Sequence, residues 1–301
     1  MLEFLEQLTN GLARGGIYAL IALGYTMVYG VMKLINFAHG ELFALGAYLG
    51  YCLLVSSNLI GGLGPVLAIG LTIILVMGLV ALAGHLLEKV AYRPLRHSDR
   101  LAAVVSALGA SIFLQNAIML TWGAQYRAYG ANLLPNLLIT VGGLKIPLIR
   151  IVVLFSALVV MLGLRMFIHR TRLGLAIRAA AIDQKAAKLM GVDVRQVITV
   201  VFILGPALGG LAGLMVGLYY GQITFNLGQL YGLKAFTAAI IGGIGNITGA
   251  MVGGMLLGLI ETLGAAYISV GWKDAFTFLV LIMILIVRPT GILPERVVEK
   301  L

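Results

Sequence analysis

Charged side chains are scarce in this sequence. They make up only 11% of the 301 residues, whereas hydrophobic residues make up 61%. A soluble domain carries about 25% charged residues, so water cannot be the main solvent around this chain. The mean hydropathy of +1.05 agrees with that conclusion. We therefore predict an all-α, polytopic membrane protein with a single transmembrane domain over residues 1–301.

The sequence has a single cysteine, and we expect no cleaved secretory leader at its start. The one cysteine, Cys52, lies inside an apolar run, so no internal disulfide can form. Residues 1–10 contain Glu3 and Glu6 and no basic cluster, whereas a cleaved signal peptide begins with positive charge. We expect the first apolar helix to stay in place as a membrane anchor.

Catalytic and metal-binding motifs are absent from the sequence. There is no G-x-x-x-x-G-K-S/T phosphate loop, no H-E-x-x-H zinc motif and no G-x-S-x-G nucleophile elbow. The four histidines are scattered and match no metal-site spacing. We predict that the chain is not an enzyme and binds no metal or cofactor. An intramembrane enzyme stays open as an alternative, without a visible nucleophile and base.

The chain is rich in long apolar runs. A spanning helix needs about 20 mostly apolar residues. The runs that we interpret as spans are 11–32, 42–55, 66–87, 101–122, 148–168, 197–220, 232–243, 247–268 and 275–287. We predict about nine spans, in a range of eight to ten, because the short seventh run contains glycines and can also be a re-entrant segment.

Basic residues predict the orientation of these spans. The net charge is +10, and Lys and Arg concentrate in segments 88–100 and 165–195 and in the tail after residue 287. Cytoplasmic loops of membrane proteins are enriched in Lys and Arg, so we prefer this explanation to nucleic-acid binding. Nine spans then place the C-terminus in the cytoplasm and the N-terminus outside. They also predict an inverted repeat, in which spans one to four and six to nine enter the membrane from opposite sides.

Glycine is abundant, with 40 residues, and in the sixth run it recurs at every fourth position. These glycines are Gly205, Gly209, Gly213, Gly217 and Gly221. On a helix they form one flat stripe, against which another helix can pack closely. Static helix packing and a smooth surface on which helices shift are both open interpretations.

Polar groups inside the apolar runs are candidates for a translocation path, because such groups are expensive in lipid. The candidates are Asn36, His39, Glu41, Asn246 and Glu261, and Gln115 and Asn116 are further polar groups within a run. Glu41 can cap the second helix, since a carboxylate suits a helix N-terminus, or it can contact a solute. Glu261 lies deeper and can be a structural partner or a solute ligand.

The basic segment 170–195 contains an amphipathic stretch. Residues 173–189 alternate apolar and charged positions at helical spacing, and Gly191 ends the stretch. It is too polar to span a bilayer. Either the helix rests on the lipid surface, or it docks in a groove of a partner protein.

Several motifs resemble one family of transport proteins. Residues 186–191 (AAKLMG) are similar to the Ala-Ala-x-x-x-Gly core of the coupling loop in ABC importer permeases, with Lys185 where that loop usually has Glu. Other segments resemble the branched-chain amino-acid permease family, in particular its shorter, LivH type. They are 15–20 (GGIYAL), 24–30 (GYTMVYG), 35–41 (INFAHGE), 91–96 (AYRPLR), 234–239 (KAFTAA), 242–246 (GGIGN) and 288–293 (RPTGIL).

The resemblance implies a type II ABC-importer-like permease of a bacterial inner membrane. Its expected partners are the lipid bilayer, a second related permease, two ATPase subunits that hold ATP and Mg²⁺, and an extracytoplasmic solute-binding protein. The expected solute is leucine, isoleucine or valine, with urea, short amides or other amino acids as alternatives. An ion-coupled secondary transporter is the competing class. The residues expected at the ATPase are Gly174, Arg178, Asp183, Lys185, Ala186, Ala187 and Gly191.

Overall fold

A computed structural model describes residues 2–56, 64–96, 98–130, 138–141 and 144–294 of the chain. The predicted tail beyond residue 294 and the glycine-rich stretch 61–63 lie outside these ranges. The helices are α1 (Leu2–Met32), α2 (His39–Tyr51), α3 (Pro65–Leu87), α4 (Arg100–Trp122), α5 (Leu148–Arg170), α6 (Arg172–Ile182), α7 (Gln184–Leu189), α8 (Val194–Tyr220), α9 (Leu227–Gly242), α10 (Ile247–Tyr267) and α11 (Lys273–Val287).

Seven of the described helices are long and apolar enough to cross a membrane, namely α1, α3, α4, α5, α8, α10 and α11. The second and seventh predicted spans correspond to the shorter helices α2 and α9, which have 13 and 16 residues. A π-helical turn, Cys52–Ser56, prolongs α2. The fold is therefore a mostly helical membrane bundle in which two of the predicted spans are short.

The connections are more structured than the sequence predicts. The basic segment after α3 continues as a π-helical turn, Glu88–Tyr92, and a 3₁₀ turn, Arg93–Leu95. A 3₁₀ turn at Val270–Trp272 precedes α11. The described ranges contain four short strands among the helices, so the fold is not strictly all-α. They are β1 (Arg127–Ala128), β2 (Leu138–Val141), β3 (Leu144–Pro147) and β4 (Gln222–Ile223).

The strands form two antiparallel pairs. β2 pairs with β3 as a local hairpin between α4 and α5. β1 pairs with β4, so the segment after α4 is bonded to the segment between α8 and α9. Tyr129 extends this contact, because its N–H donates to the Gly221 carbonyl at 2.8 Å and its hydroxyl donates to the Ala47 carbonyl.

Helices α1 and α8 form the buried centre of the bundle, whereas less than a third of the residues in α3, α4, α5 and α11 are buried. Exposed apolar surfaces of this extent are expected where lipid or a membrane partner covers the protein. Glycines allow the central contacts. A methyl group at Gly258 of α10 would overlap the Gly15 backbone of α1, and one at Gly84 of α3 would meet Pro206 of α8.

Candidate functional site

The two short helices, α2 and α9, place their first turns side by side. A methyl group at Gly40 of α2 would overlap the Gly228 backbone of α9 and lie 3.2 Å from the Gly232 Cα. The helices approach this closely because none of the three positions carries a side chain. His39 packs on Gly209, near the middle of α8. The contact between the two first turns, which we term the half-helix junction, therefore lies inside the bundle and not at either end.

A cavity of about 390 Å³ lies beside the half-helix junction, between α2, α9, α4 and α1. Its volume falls within the range of about 300–1,000 Å³ that is typical of small-molecule sites. Polar and aromatic groups reach it from all four helices. These are Tyr25, Glu41, Ser111, Gln115, Gln229 and Phe236. We refer to it as the junction cavity, and its walls can hold a small solute that has both charged and apolar parts.

Glu41 brings a buried acidic group to the junction cavity. The residue is only 2% exposed, and its Oε2 has no hydrogen-bond partner among the described residues. The residue at the N-cap of α2 is Ala38, and no side chain caps this helix end. A methyl group at Gly228 would overlap the Glu41 carboxylate. Glu41 lies in the first turn of α2, the position at which a carboxylate suits the helix dipole. No side-chain capping hydrogen bond is found there among the described residues, and the carboxylate faces α9 and the cavity.

The other predicted path residues near α2 do not line the junction cavity. The His39 ring is fully buried between α1 and α8, edge-on to Tyr25 with ring centroids 4.7 Å apart. Asn36 Oδ1 accepts from the Tyr92 hydroxyl at 2.8 Å and from the Ala38 N–H at 3.1 Å. Asn36 therefore joins the α1–α2 connection to the turn after α3, a structural task.

Asn246 is the N-cap of α10. Its Oδ1 accepts from the Gly249 N–H and its Nδ2 donates to the Leu293 carbonyl, both at 3.1 Å. These bonds hold the segment after α11 against the start of α10. In the structure Asn246 is a helix cap and lies away from the junction cavity.

Glu261 is the centre of a buried charge cluster that joins four helices. Its Oε2 accepts from the Tyr18 hydroxyl at 2.6 Å. Its Oε1 lies 2.9 Å from Lys273 Nζ and 3.1 Å from Lys234 Nζ, and Arg14 approaches to 3.8 Å. Because a buried carboxylate needs such partners, the arrangement favours the structural interpretation of Glu261. Our sequence reasoning missed Lys234, although a lysine inside an apolar run is a recognisable signal.

The predicted amphipathic helix is two helices, α6 and α7, separated at Asp183. This residue has an extended backbone and caps α7, since its Oδ1 accepts from the N–H groups of Lys185 and Ala186 at 2.8 and 3.1 Å. Gly191, in the left-handed region with φ 85°, follows the end of α7. The single-helix prediction is wrong because a capping aspartate starts a new helix within the same apolar pattern.

Two of the predicted ATPase-contact residues face the protein itself. Gly174 is buried against the carbonyls of Phe167 and Ile168, and Ala187 is buried in α7. Gln184 Nε2 donates to the Val31 carbonyl at 2.6 Å. This bond links the start of α7 to the end of α1, which is one of the two central helices of the bundle.

The free surface of the segment lies at the end of α7. Leu189 is 88% and Met190 is 85% exposed, and Arg178, Lys185 and Ala186 of the same segment are also exposed. Neighbouring apolar side chains that stand out from a basic surface are typical of protein contact sites. Our sequence reasoning counted Leu189 only as part of an apolar helix face, and it did not single out Met190.

The glycine stripe of α8 faces several elements in turn. A Cβ at Gly205 would lie 3.2 Å from the Gly24 carbonyl oxygen of α1, and one at Gly209 would lie 3.3 Å from the His39 ring. Gly213 meets the Phe43 carbonyl of α2, and Gly217 meets the Tyr129 ring. Gly221 differs, because it is the left-handed C-cap of α8 with φ 71°.

No group of three or more His, Cys, Asp or Glu side chains is placed to hold a metal ion within the described ranges. The candidate functional groups described above lie in three places, namely the junction cavity, the buried charge cluster and the exposed end of α7.

Comparison with known proteins identifies relatives along nearly the whole chain. Residues 7–285 match a family model described as the permease component of branched-chain amino acid transport systems. The high-affinity branched-chain amino acid permease BraD of Pseudomonas aeruginosa is 43% identical over 302 residues, covering 99% of this chain and 98% of BraD. LivH of Escherichia coli K12 is 42% identical over 307 residues, with the same coverage. A probable LivH of Methanocaldococcus jannaschii is 27% identical over 298 residues, covering 95% and 91%. No solved structure matches.

Proposed function

Because the chain belongs to the family of branched-chain amino acid transport permease components, we propose that it is the membrane-spanning subunit of an ATP-driven importer of leucine, isoleucine and valine. The observation that carries this proposal is the match to BraD and LivH at 42–43% identity from end to end. Separate ATPase subunits would hydrolyse ATP, and a binding protein would deliver the solute. A second related permease would complete the membrane unit.

The α6–α7 segment is proposed as the contact with the ATPase. Leu189 and Met190 would insert into a groove of that partner, with Arg178 and Lys185 at the rim. Gly174 and Ala187 would hold the segment in shape, and Asp183 and Gly191 would define the two ends of α7. The bond from Gln184 to the end of α1 supports this proposal, because a movement of α7 would be passed directly to the central helix.

Nine spans in two inverted halves are proposed as the architecture. Pairwise packing supports the repeat: α10, the third span of the second half, packs on α1, and α3, the third span of the first half, packs on α8. The second spans of the halves, α2 and α9, are both short and meet at the half-helix junction. The C-terminus and the α6–α7 segment would lie in the cytoplasm and the N-terminus outside.

Co-purification tests the ATPase contact. The chain should bring down a nucleotide-binding subunit, and Leu189→Asp should release that subunit, because the apolar tip would have to bury a charge. Val270→Asp is a matched control, since Val270 is 74% exposed at the opposite end of the bundle and should leave the complex intact. Equal retention by both variants would refute the assigned contact.

Uptake tests the solute and the energy source. Cells that lack the chain should lose ATP-dependent uptake of labelled leucine and regain it with the wild-type gene. Isoleucine and valine should compete, whereas competition by urea or acetamide would assign the alternative solutes. Leucine uptake by proteoliposomes that contain this chain alone, without ATP, would show a secondary transporter and refute the proposal.

A further inference from the structure

We propose that the junction cavity is the site inside the membrane where the permease holds the zwitterionic head of its solute, with Glu41 on the ammonium group and the first turn of α9 on the carboxylate. This inference rests on the proposed function, because it assumes that an amino acid passes through the chain. It goes further by assigning the place and the residues.

Glu41 is suited to the ammonium group by its burial and by the free Oε2 that it presents among the described residues. The residue is 2% exposed, and its Oε2 has no hydrogen bond to any described residue. This differs from Glu261, whose oxygens are bound by Tyr18, Lys234 and Lys273. A buried acid without a partner is costly, and a ligand ammonium group would supply both the charge and the missing donor.

The first turn of α9 is suited to the carboxylate. Its N-cap, Asn226, makes no side-chain capping bond, and among the described residues no acceptor is found for the N–H groups of Gly228 and Gln229. Both residues line the junction cavity. Free N–H groups at a helix N-terminus, together with the helix dipole, form a natural anion site. The absence of a side chain at Gly228 brings this turn directly to the Glu41 carboxylate.

The remaining walls suit a branched apolar side chain. Leu108 and Ile112 of α4 and Leu233 and Phe236 of α9 line the cavity. The volume of about 390 Å³ leaves room for a small amino acid. Acidic, N–H and apolar groups therefore meet in one cavity. They complement the ammonium group, the carboxylate and the branched apolar side chain that leucine, isoleucine and valine share.

Protection of an engineered cysteine tests the site directly. Ser111 lines the cavity and Cys52 is the one native cysteine, so Ser111→Cys in a Cys52→Ser background gives a single thiol at the proposed site. In the reconstituted complex, leucine should slow labelling of this thiol by a small thiol reagent. Leucine analogues that lack the amino group or the carboxylate should not. Asn116→Cys is the control, because Asn116 lies on the same helix, α4, directly after the lining residue Gln115, and does not line the cavity.

Glu41→Gln should weaken both protection and uptake about tenfold or more, because losing one charge-assisted hydrogen bond lowers the affinity by about that factor. Retained ATPase activity of the variant complex shows that it is folded. Gln115→Leu against Asn116→Leu gives a second comparison, in which only the cavity variant should reduce uptake. Full leucine protection in Glu41→Gln, or protection by sodium ions and not by leucine, would overturn the assignment.

The outcome also separates this inference from the proposed function. A wild-type complex that imports leucine with ATP but shows no protection at position 111 refutes the site alone. A wild-type complex without ATP-dependent leucine uptake refutes the proposed function.

Discussion

Replacing Glu261 with glutamine is expected to destabilise the fold strongly. The carboxylate is fully buried, and its Oε1 lies 2.9 Å from Lys273 Nζ and 3.1 Å from Lys234 Nζ. Glutamine keeps the shape but leaves both ammonium groups facing a neutral amide. Removing one partner of a buried pair costs about 3–5 kcal/mol, and we expect about 3 kcal/mol. The lower value applies because Lys234 Nζ keeps its ion pair with Asp274 Oδ1 at 2.5 Å and because the Lys273 side chain is partly exposed to solvent.

The measurement is the free energy of unfolding of the purified chain in bicelles, obtained by denaturant titration. Glu6→Gln is the control, because Glu6 pairs with Arg150 at 3.5 Å but is 42% exposed, and such a pair is worth less than about 1 kcal/mol. Adding Lys234→Met to Glu261→Gln should recover part of the loss, since it removes a buried ammonium group, whereas Asp274 is 63% exposed and loses little with its partner. Equal and small losses in Glu261→Gln and Glu6→Gln would refute the reasoning.

Three further variants test other contacts. Gly213→Ala should cost about 1–3 kcal/mol of unfolding free energy, because its methyl group would overlap a carbonyl of α2; Gly109→Ala meets nothing within 4 Å and should be neutral or slightly stabilising. Asn246→Ala should lower the unfolding free energy by about 1 kcal/mol through the lost cap, and unchanged stability would contradict that role. Gln184→Leu should leave the ATPase bound but lower the leucine imported per ATP hydrolysed, and an unchanged ratio would show that its bond to α1 transmits nothing.

The membrane class and the family follow from the sequence. Scarce charge and long apolar runs predict the helical bundle, and the matches to BraD and LivH confirm the resemblance that short motifs suggest. Most helix ends also lie close to the predicted ones, because Lys, Arg, Gly and Pro interrupt the apolar runs. The membrane class and the helix ends are local features, so composition and periodicity are sufficient to identify them, whereas the family depends on the resemblance of the motifs.

The site depends on partners that are distant in the sequence, and these are not predictable from one chain. Glu41 and Glu261 look alike as isolated acids in apolar surroundings. Their difference is that Glu261 meets Tyr18 and Lys234, whereas Glu41 meets a glycine. The break at Asp183 is predictable from the sequence, because aspartate is one of the preferred residues at a helix N-cap.

The β1–β4 pairing has a consequence for how the proposed halves can move. Backbone hydrogen bonds between Arg127–Ala128 and Gln222–Ile223, together with the bond from the Tyr129 N–H to the Gly221 carbonyl, fasten one half to the other at one rim of the bundle. A rocking motion between fastened bodies has its pivot at the fastening, and displacement grows with distance from it. The far end, where α7 touches α1, would travel furthest, so a small force applied there has the longest lever arm.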